Sequence, residues 1–308
     1  GELEHLAALI QTGNAAEPAA LRIRSAFQRL FDEKQYGELV ERAKAYIREG
    51  DIFQVVLSNR LTAEAEGSLF TTYQTLRRIN PSPYMFYFSS EDLEIAGSSP
   101  ETMVKVVDDQ VFTFPLAGTR PRGATAEEDA ALEQELLADP KELAEHTMLV
   151  DLGRNDLGKI SLFGTVQVEK YRVVERFSHV MHLGSTVRGR LREGKTALDA
   201  IDAVLPAGTL SGAPKIRACK IINELENNKR GIYGGALGYL GFSGAMDTCI
   251  AIRLVFKKNG KVFIRSGAGI VADSVPEREF EECNNKLKAV MLAMKEAESL
   301  DRPKEDQV

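Results

Sequence analysis

The sequence predicts an α+β fold, in which antiparallel strands and helices occur in separate groups along the chain. Short runs rich in β-branched and aromatic residues follow one another between Ile52 and Phe114, with turn residues between them, and successive hairpins of this kind form antiparallel sheets. Segments with apolar residues at helical spacing are grouped elsewhere. Because strands and helices do not alternate strictly, the pattern favours α+β over a doubly wound parallel sheet.

The N-terminal segment has the composition of helices. Residues 1–50 are rich in alanine, leucine and glutamate, and apolar positions recur at helical spacing in LRIRSAFQRLF and YGELVERAKAYI, with Gly50 ending the second helix. From Ile52 the pattern changes to strands, in FQVVLSNRLTAEAE, YMFYFSS, LEIAGSS and TMVKVVDDQVFTF. The change predicts a helical lead-in over residues 1–45 and one large domain over residues 46–300.

The remaining elements continue the grouping. Residues 127–157 are helical in composition, and ISLFGTVQVEKYRVVERF and HVMHLGSTVRGRL return to strand chemistry. TALDAIDAVL and PKIRACKIINELE read as helices around the loop LPAGTLSGAP, and strands follow over residues 238–265. A long helix is predicted from Pro276 to about Glu298, and residues 301–308 form a C-terminal tail.

Composition and charge exclude several classes of protein. The 45 acidic residues outnumber the 39 basic ones and give a net charge of −6, which argues against nucleic acid as a partner. Three widely spaced cysteines suggest neither a disulfide framework nor a metal site. No apolar run approaches the length of about 18 residues that a membrane span needs, and the N-terminus lacks the pattern of a secretion signal. We therefore expect a cytoplasmic protein.

Two predicted helices carry paired carboxylates. Glu142 and Glu145 stand three residues apart and share a helix face, and Glu279, Glu282 and Lys286 share another beside an apolar stripe. Two such helices could hold one Mg²⁺ ion, which takes one or two protein carboxylates and keeps positions for water or a substrate oxygen. Glutamates on helices are more often solvated surface, and spacing alone favours that alternative.

Other candidate residues lie at strand ends and in strands. Glu101 follows a strand in GSSPE, where burial could make it a general acid, although it could equally be a helix N-terminal acid. SGAGIVADS carries two glycines at a strand end, which would let backbone N–H groups approach an anion. Alternation places Arg253 within the strand CIAIRLVF, as a solvated residue or a carboxylate clamp. His182 lies in a strand, where a packed residue is more common than a proton shuttle.

Together and in this order, these segments resemble the chorismate-utilising enzymes, a family that includes anthranilate, aminodeoxychorismate, isochorismate and salicylate synthases. The resemblance runs from about Tyr46 to Ala297. It is carried by GDIFQVVLSNRL, NPSPYMFYF, GSSPE, PLAGTRPRG, ELLADPKELAEHTMLVDLGRNDLG, VMHLGSTVRG, LPAGTLSGAPK, RGIYGGALGY, DTCIAIR and SGAGIVADSVPEREFEECNNK. The resemblance implies antiparallel sheets that face each other with helices packed outside, and makes residues 46–300 the chorismate-binding catalytic domain.

The resemblance also implies a role for each candidate residue. Glu145 and Glu282 would bind Mg²⁺, with Glu142 and Glu279 acting beside them or through water, and the metal would bind the ring carboxylate of chorismate. Glu101 would be the general acid that helps the 4-hydroxyl leave. His182 would assist removal of the ring proton. The residues that would hold the enolpyruvyl carboxylate are Tyr233, Arg253, Gly267, Ala268 and Gly269, and those lining the rest of the pocket are Gly118, Thr119, Thr209 and Lys286.

The residues at two positions distinguish the members of the family from one another. Isochorismate and salicylate synthases have a lysine, the base for an attacking water, where this chain has Gln54, and aminodeoxychorismate synthases have a lysine where it has Ala117. The resemblance therefore implies that ammonia attacks ring position 2 and that pyruvate elimination gives anthranilate, the first committed step of tryptophan biosynthesis. A 2-amino-2-deoxyisochorismate synthase, an aminodeoxychorismate synthase and a non-catalytic tryptophan-sensing module are the alternatives.

Partners and regulation follow from the same resemblance. A glutamine amidotransferase subunit would supply the ammonia, because no cysteine here lies in a nucleophile turn of the glutaminase kind. NPSPYMFYF resembles the inhibitor-binding segment of anthranilate synthases, which makes Pro83, Tyr84 and Met85 candidates for binding tryptophan. Family members carry a much longer region before GDIFQVV. The lead-in could therefore be part of a longer polypeptide, and tryptophan inhibition of this chain is left open.

Overall fold

The computed structural model describes residues 1–13, 18–177 and 180–300, and the predicted tail at residues 301–308 lies outside them. The first half of the chain contains α1 (Glu2–Thr12), β1 (Arg22–Ile23), β2 (Gln28–Arg29), α2 (Glu33–Arg48), β3 (Gln54–Glu66), α3 (Phe70–Ile79), β4 (Tyr84–Ser89), β5 (Leu93–Ser99), β6 (Thr102–Val107), β7 (Gln110–Thr113), β8 (Leu116–Pro121), α4 (Ala126–Ala138) and α5 (Pro140–Gly158). The second half contains β9 (Gln167–Arg176), β10 (Val180–Arg190), α6 (Ala197–Val204), a 3-10 turn (Gly208–Leu210), β11 (Gly212–Ala213), α7 (Lys215–Glu226), β12 (Ala236–Leu240), β13 (Met246–Ile250), β14 (Leu254–Lys258), β15 (Lys261–Ile270) and α8 (Pro276–Leu300).

The strands form two antiparallel sheets. In the first sheet the strand order is β1-β3-β15-β14-β5-β4, and β2 and β11 also pair with β3. In the second sheet the order is β12-β13-β6-β7-β10-β8, and β9 also pairs with β10. The longest pairing joins β3 to β15 over ten residues of each strand, from Lys261 opposite Glu64 to Ile270 opposite Val55. The predicted α+β class with antiparallel sheets is confirmed.

The two sheets carry different helices. On the first sheet, α8 buries Leu287 and Val290 in a core shared with α3, β14 and β15. On the second sheet, α5 buries Val150 and Leu157 together with residues of α6, β6 and β7. Each such side chain contributes roughly 1.5–3 kcal/mol on full burial, so the apolar faces fix both helices and leave other faces free to carry charge. Within the described ranges, no helix is both long enough and apolar enough to cross a membrane.

The helical prediction for LRIRSAFQRLF is wrong. This segment forms β1 and β2, which pair with β3 at Arg22 opposite Glu66 and at Gln28 opposite Thr62. Pairing with a long neighbouring strand outweighs the local periodicity, because strand formation depends strongly on tertiary context. The helix begins only after Asp32, whose side chain accepts a hydrogen bond from a backbone N–H of the first turn.

The predicted domain boundary at residue 45 falls inside α2. This helix buries Tyr36 and Val40 in a core that it shares with β3, α7, β15 and α8. The Tyr36 hydroxyl donates a hydrogen bond to the Leu57 carbonyl of β3 at 3.0 Å. The helix therefore supports the two strands, β3 and β15, that carry several of the candidate site residues.

Candidate active site

Two chain crossings between the sheets lie at the centre of the site. The chain passes from the first sheet to the second between β5 and β6, and it returns between β13 and β14. The crossings lie side by side, because the Ile250 N–H donates to the Glu101 carbonyl at 2.9 Å and the Ser98 N–H donates to the Arg253 carbonyl at 3.1 Å. Two candidate residues distant in sequence, Glu101 and Arg253, are thus brought together at the junction of the sheets.

Glu101 lies on the first crossing in an environment suited to proton transfer. The Thr209 hydroxyl donates a hydrogen bond to Glu101 Oε1 at 2.9 Å, which leaves Oε2 to carry a proton. Burial raises the pKa of Glu101 to about 7, although the Thr209 hydrogen bond and the charges of Lys286 and Arg253 lower it. A pKa near the working pH is what a general acid requires.

Arg253 does not lie within a continuous strand, and that prediction is wrong. Its φ of +52° is in the left-handed region, which is uncommon for residues other than glycine. The strand pattern is interrupted there because the chain leaves the second sheet and enters the first. Within the described part of the chain its guanidinium makes no hydrogen bond or ion pair, and burial lowers its pKa while Tyr233, Glu101 and Glu282 oppose this. The side chain is therefore free to clamp an anionic ligand.

His182 lies on β10 and faces the irregular pairing with β8 around Gly118. Its Nδ1 atom lies 2.9 Å from the Gly118 carbonyl oxygen, which can only accept a hydrogen bond, so the hydrogen is assigned to Nδ1. Thr119 Oγ1 lies 3.0 Å from the same nitrogen. Burial lowers the pKa of His182, and the nearby charge of Arg253 lowers it further. The neutral ring therefore has Nε2 available to accept a proton.

Four glutamates on α5 and α8 face one another. Burial raises the pKa of Glu145, and repulsion by Glu142 and Glu282 raises it further. Burial likewise raises the pKa of Glu279, with Glu282 adding to it. Glu145 accepts a hydrogen bond from Gln54 Nε2 at 3.2 Å. Carboxylates from two helices that raise one another's pKa are stabilised by a cation placed between them.

This donor set fits Mg²⁺. In the described ranges no group of three His, Cys, Asp or Glu side chains is positioned to hold a metal ion, but Mg²⁺ usually takes only one or two protein carboxylates and completes its shell with water and substrate oxygens. Glu145 and Glu282 supply one carboxylate from each helix. Lys286 Nζ lies 2.6 Å from Glu282 Oε1, and Arg120 Nη1 lies 3.5 Å from Glu142 Oε1. These two cations balance part of the negative charge of the four glutamates. The assignment of the metal ligands stays a prediction.

The two glycines of SGAGIVADS lie in the last residues of β15, opposite β3. A Cβ on Gly267 would lie 2.8 Å from the Leu57 carbonyl oxygen and 3.1 Å from the Tyr233 hydroxyl. A Cβ on Gly269 would lie 2.3 Å from Gln54 Nε2. Both glycines therefore allow close approach of neighbouring groups. Among the described strands, β14 pairs with β15 only over Lys261–Ile264, which leaves the edge around Ala268 open on that side.

A buried ionic network behind Tyr233 was not found from the sequence. Glu226 lies 2.6 Å from Arg230 Nη2 and 3.3 Å from Arg265 Nη1. Arg230 also donates to the Leu210 carbonyl at 2.6 Å and to the Val56 carbonyl at 2.7 Å. It thereby joins the turn that carries Thr209 to the strand opposite Gly269. The sequence signal was available, because Arg230 opens the RGIYGG motif.

The candidate inhibitor-binding residues lie elsewhere. Pro83 and Tyr84 line a cavity of about 270 Å³ that also contacts Phe114 and Ser185. The Tyr84 hydroxyl donates to Asp247 Oδ1 at 2.7 Å, and burial raises its pKa. Met85 instead packs against the core beneath α3 and α8. The three residues thus do not share one surface, and their role in tryptophan binding stays a prediction.

Comparison with known proteins adds a family and close relatives. The profile of the chorismate binding enzyme family matches residues 2–292. Anthranilate synthase component 1 of Acetivibrio thermocellus is 60% identical over 84% of this chain and 52% of its own length. That of Aquifex aeolicus is 52% identical over 87% of this chain and 54% of its own length. The chain therefore spans about half the length of the curated relatives it matches.

Solved structures with the same fold include two kinds of enzyme. Anthranilate synthase component I from Streptococcus pneumoniae superposes with a TM-score of 0.84 at 46% identity, covering 94% of this chain and 65% of that one. The menaquinone-specific isochorismate synthase from Escherichia coli superposes with a TM-score of 0.83 at 25% identity, covering 95% of this chain and 68% of that one.

Proposed function

We propose, from the premise that the chain belongs to the chorismate-binding enzyme family, that it is the chorismate-converting part of an anthranilate synthase. The reaction would join ammonia to chorismate and release water and pyruvate, leaving anthranilate. The observation that carries the proposal is Glu101, an acid with a pKa of about 7 beside an arginine that has no ion-pair partner in the described part of the chain. Relatives named anthranilate synthase component 1 at 52–60% identity support the choice of reaction.

The substrate would bind beside the two crossings between the sheets. The enolpyruvyl carboxylate would lie against the guanidinium of Arg253, the hydroxyl of Tyr233 and the open edge of β15 at Gly267. Mg²⁺, held by Glu145 and Glu282, would supply a positive charge for the ring carboxylate. Lys286 donates to the Gly267 carbonyl at 2.9 Å and contacts Glu282. Lys286 thereby links the strand proposed to bind the enolpyruvyl carboxylate to one of the proposed metal ligands.

Two proton transfers would follow from the positions of Glu101 and His182. The proton on Glu101 Oε2 would pass to the departing 4-hydroxyl, which leaves as water while ammonia bonds to ring position 2 and the new ammonium group releases a proton to water. In the elimination that follows, His182 Nε2 would accept the proton from that ring carbon as the bond between the ring and the enolpyruvyl oxygen breaks. The released enolate would take up a proton from water and become pyruvate. Glu101 would have to be protonated and His182 neutral, in agreement with a raised pKa for the first and a lowered pKa for the second.

Gln54 and Ala117 support ammonia as the nucleophile. The amide of Gln54 donates its hydrogen to Glu145 and cannot take a proton from water. Gln54 Oε1 is a buried acceptor without a partner among the described residues, so it can accept a hydrogen bond from an incoming ammonia molecule. Ala117 offers no amine that could compete. These points argue against water as the nucleophile and against a product aminated at ring position 4.

A separate glutaminase would supply the ammonia. Burial raises the pKa of the Cys249 and Cys283 thiols to about 11 and also raises that of Cys219. A glutaminase needs a reactive thiolate, and none of these thiols fits. The three free cysteines also agree with a reducing cytoplasm as the place of the reaction. Tryptophan is the proposed feedback inhibitor, at the cavity lined by Pro83 and Tyr84.

Incubation of the purified chain with chorismate, Mg²⁺ and ammonium, followed by anthranilate fluorescence and chromatography, tests the proposal. We expect anthranilate with ammonium, none with glutamine, and glutamine-dependent formation once a cognate glutaminase is added. Isochorismate or 4-amino-4-deoxychorismate as the main product would overturn the argument from Gln54 and Ala117. Accumulation of 2-amino-2-deoxyisochorismate would support the enzyme that stops at the intermediate, and binding of tryptophan without any turnover would support the sensing module.

A further inference from the structure

A small cavity contacts Glu101 and shares Thr209 with the residues predicted to line the substrate pocket. Its volume is about 50 Å³, and its lining includes Glu101, Thr209, Thr113, Gly153 and Asp156. None of the residues proposed to hold the substrate carboxylates contributes to this lining. A buried water molecule needs roughly 15 Å³ and two to four polar partners. The cavity has room for water and supplies several hydroxyl and carboxylate groups.

The Thr113 hydroxyl is an unusual member of the lining. The side chain is only 6% exposed, and Oγ1 has no hydrogen-bond partner among the described residues. A Cβ on the facing Gly153 would lie 2.9 Å from this oxygen, so the glycine leaves space around it. Buried hydroxyls in proteins are nearly always hydrogen-bonded to protein or to water, and the cavity is where a partner for Thr113 would lie.

Asp156 connects the cavity to a charged group at the surface. The residue is 4% exposed, and its Oδ2 accepts a hydrogen bond from Lys215 Nζ at 2.6 Å while its Oδ1 accepts one from Lys159 Nζ at 2.9 Å. The Lys159 side chain is 54% exposed. The lining therefore continues from Glu101 past a hydroxyl to a carboxylate whose partner reaches solvent.

We propose that this cavity holds water and forms a proton path that returns a proton to Glu101 after each turnover. The inference rests on the proposed function, because it takes Glu101 as the general acid. When the bond between the proton and Glu101 Oε2 breaks, the proton bonds to the leaving hydroxyl oxygen and gives water, and a carboxylate remains. A cavity water then gives a proton to that carboxylate. The water regains a proton from the next water, held by Thr113 Oγ1, and ultimately from solvent beside Asp156 and Lys159.

The charges around Glu101 are consistent with this direction of transfer. Lys286 on α8 and Arg253 on the second crossing face Glu101 from the substrate side and lower its pKa. The cavity side adds Asp156, whose charge is balanced by Lys215 and Lys159. Protonation from the cavity does not pass between the residues proposed to hold the substrate carboxylates, because none of them lines the cavity.

The test compares two buried threonines, one that lines the cavity and one that lies elsewhere. Thr113→Val removes the cavity hydroxyl at nearly constant volume. Thr72→Val is the matched control, because Thr72 on α3 is also buried and its Oγ1 also lacks a partner among the described residues. We expect Thr113→Val to lower kcat about tenfold, to increase the solvent deuterium isotope effect on kcat and to leave KM for chorismate unchanged. Thr72→Val should change none of these.

Additional variants and a crystal structure make the result decisive. Thr113→Ser keeps the hydroxyl and should keep kcat, and if Thr113→Val does not fold, Gly153→Ala narrows the cavity and should lower kcat instead. A crystal structure of the wild type should contain water within hydrogen-bonding distance of Thr113 Oγ1. Absence of that water, or an unchanged kcat in Thr113→Val, overturns the proton path alone. A wild type that makes no anthranilate under any condition overturns the proposed function, and the path with it.

Discussion

Glu101 and the four glutamates of α5 and α8 are the same residue type in two different environments. Glu101 stands alone among a hydroxyl and two cations, and burial still raises its pKa to about 7. Glu142, Glu145 and Glu279 are partly buried as well, whereas Glu282 is exposed, and the pKa values of Glu145 and Glu279 are raised further by their carboxylate neighbours. A lone buried acid keeps its proton, whereas acids that repel one another are stabilised by a metal ion. The difference between the two environments supports the proposals that Glu101 transfers a proton and that the helix glutamates bind a cation.

Removing a helix carboxylate should have the largest effect. We expect Glu145→Gln and Glu282→Gln each to lower Mg²⁺-dependent anthranilate formation by roughly a thousandfold, since the charge stabilisation that a bound metal supplies is worth several kcal/mol. The circular dichroism spectrum should be unchanged. Glu281→Gln is the matched control, because Glu281 is exposed on the same helix. Near-normal turnover in both site variants would remove the metal assignment.

Removing the lone acid should slow the reaction without affecting the metal. We expect Glu101→Gln to lower kcat on the order of a hundredfold, as is typical for loss of a general acid. Its affinity for Mg²⁺, measured by titration calorimetry in the presence of chorismate, should equal that of the wild type. If Glu101→Gln lost as much Mg²⁺ affinity as Glu145→Gln does, the proposed separation of proton transfer and metal binding would be wrong.

The same acid should set the pH dependence. At a fixed concentration of unprotonated ammonia, kcat/KM should fall as the pH rises above about 7, because Glu101 loses its proton there. Stability should change in the same direction: the folded-state pKa is raised above the ordinary 4.5, so the stabilisation by protonated Glu101 is complete below pH 4.5 and is lost as the pH rises through 7. Urea unfolding of Glu101→Gln should lack this loss. A flat rate profile with an unchanged stability difference would contradict the prediction.

The smallest expected effect concerns the contact between Gln54 and the helix carboxylates. Gly269→Ala would place a Cβ 2.3 Å from Gln54 Nε2 and displace the amide from Glu145. We expect Mg²⁺ affinity to fall about tenfold, as for other losses of a group that orients a metal ligand, with the alkaline limb of the pH profile unmoved. Gly241→Ala is the control, because a Cβ there meets the Ala245 carbonyl at an ordinary 3.4 Å. If the fall of kcat/KM that Glu101 causes at alkaline pH moved to another pH in Gly269→Ala, the two regions would be coupled through β15.

Much of the fold was predictable because periodicity records which face of an element is buried. The strands β3, β9 and β10 and the helices α5, α7 and α8 carry long patterns of this kind. The failures lie where tertiary contacts override the pattern. The segment LRIRSAFQRLF becomes two short strands because β3 offers them an edge, and α3, which was not predicted, is a short helix between two strands.

The site shows the same division. Motif resemblance selected Glu101, His182 and the helix glutamates as candidates from their positions along the sequence, and their roles stay predictions. Spacing could not place Arg253, since its strand-like surroundings conceal a change of sheet. Thr113 and Asp156 give no local signal at all, because their significance depends on a cavity formed by β7, α5 and the segment before Thr209.

The paired crossings also divide the molecule mechanically. The two crossings run from one sheet to the other and are hydrogen-bonded to each other through their backbones. Helix α5 packs on the second sheet and α8 on the first. Were the sheets to rotate about this line, Glu101 and Arg253 would lie near the pivot and travel least, and Glu145 and Glu282 would swing on opposite arms. Binding of the proposed metal ion between Glu145 and Glu282 would therefore draw the two sheets together, while Glu101 at the crossings would move least.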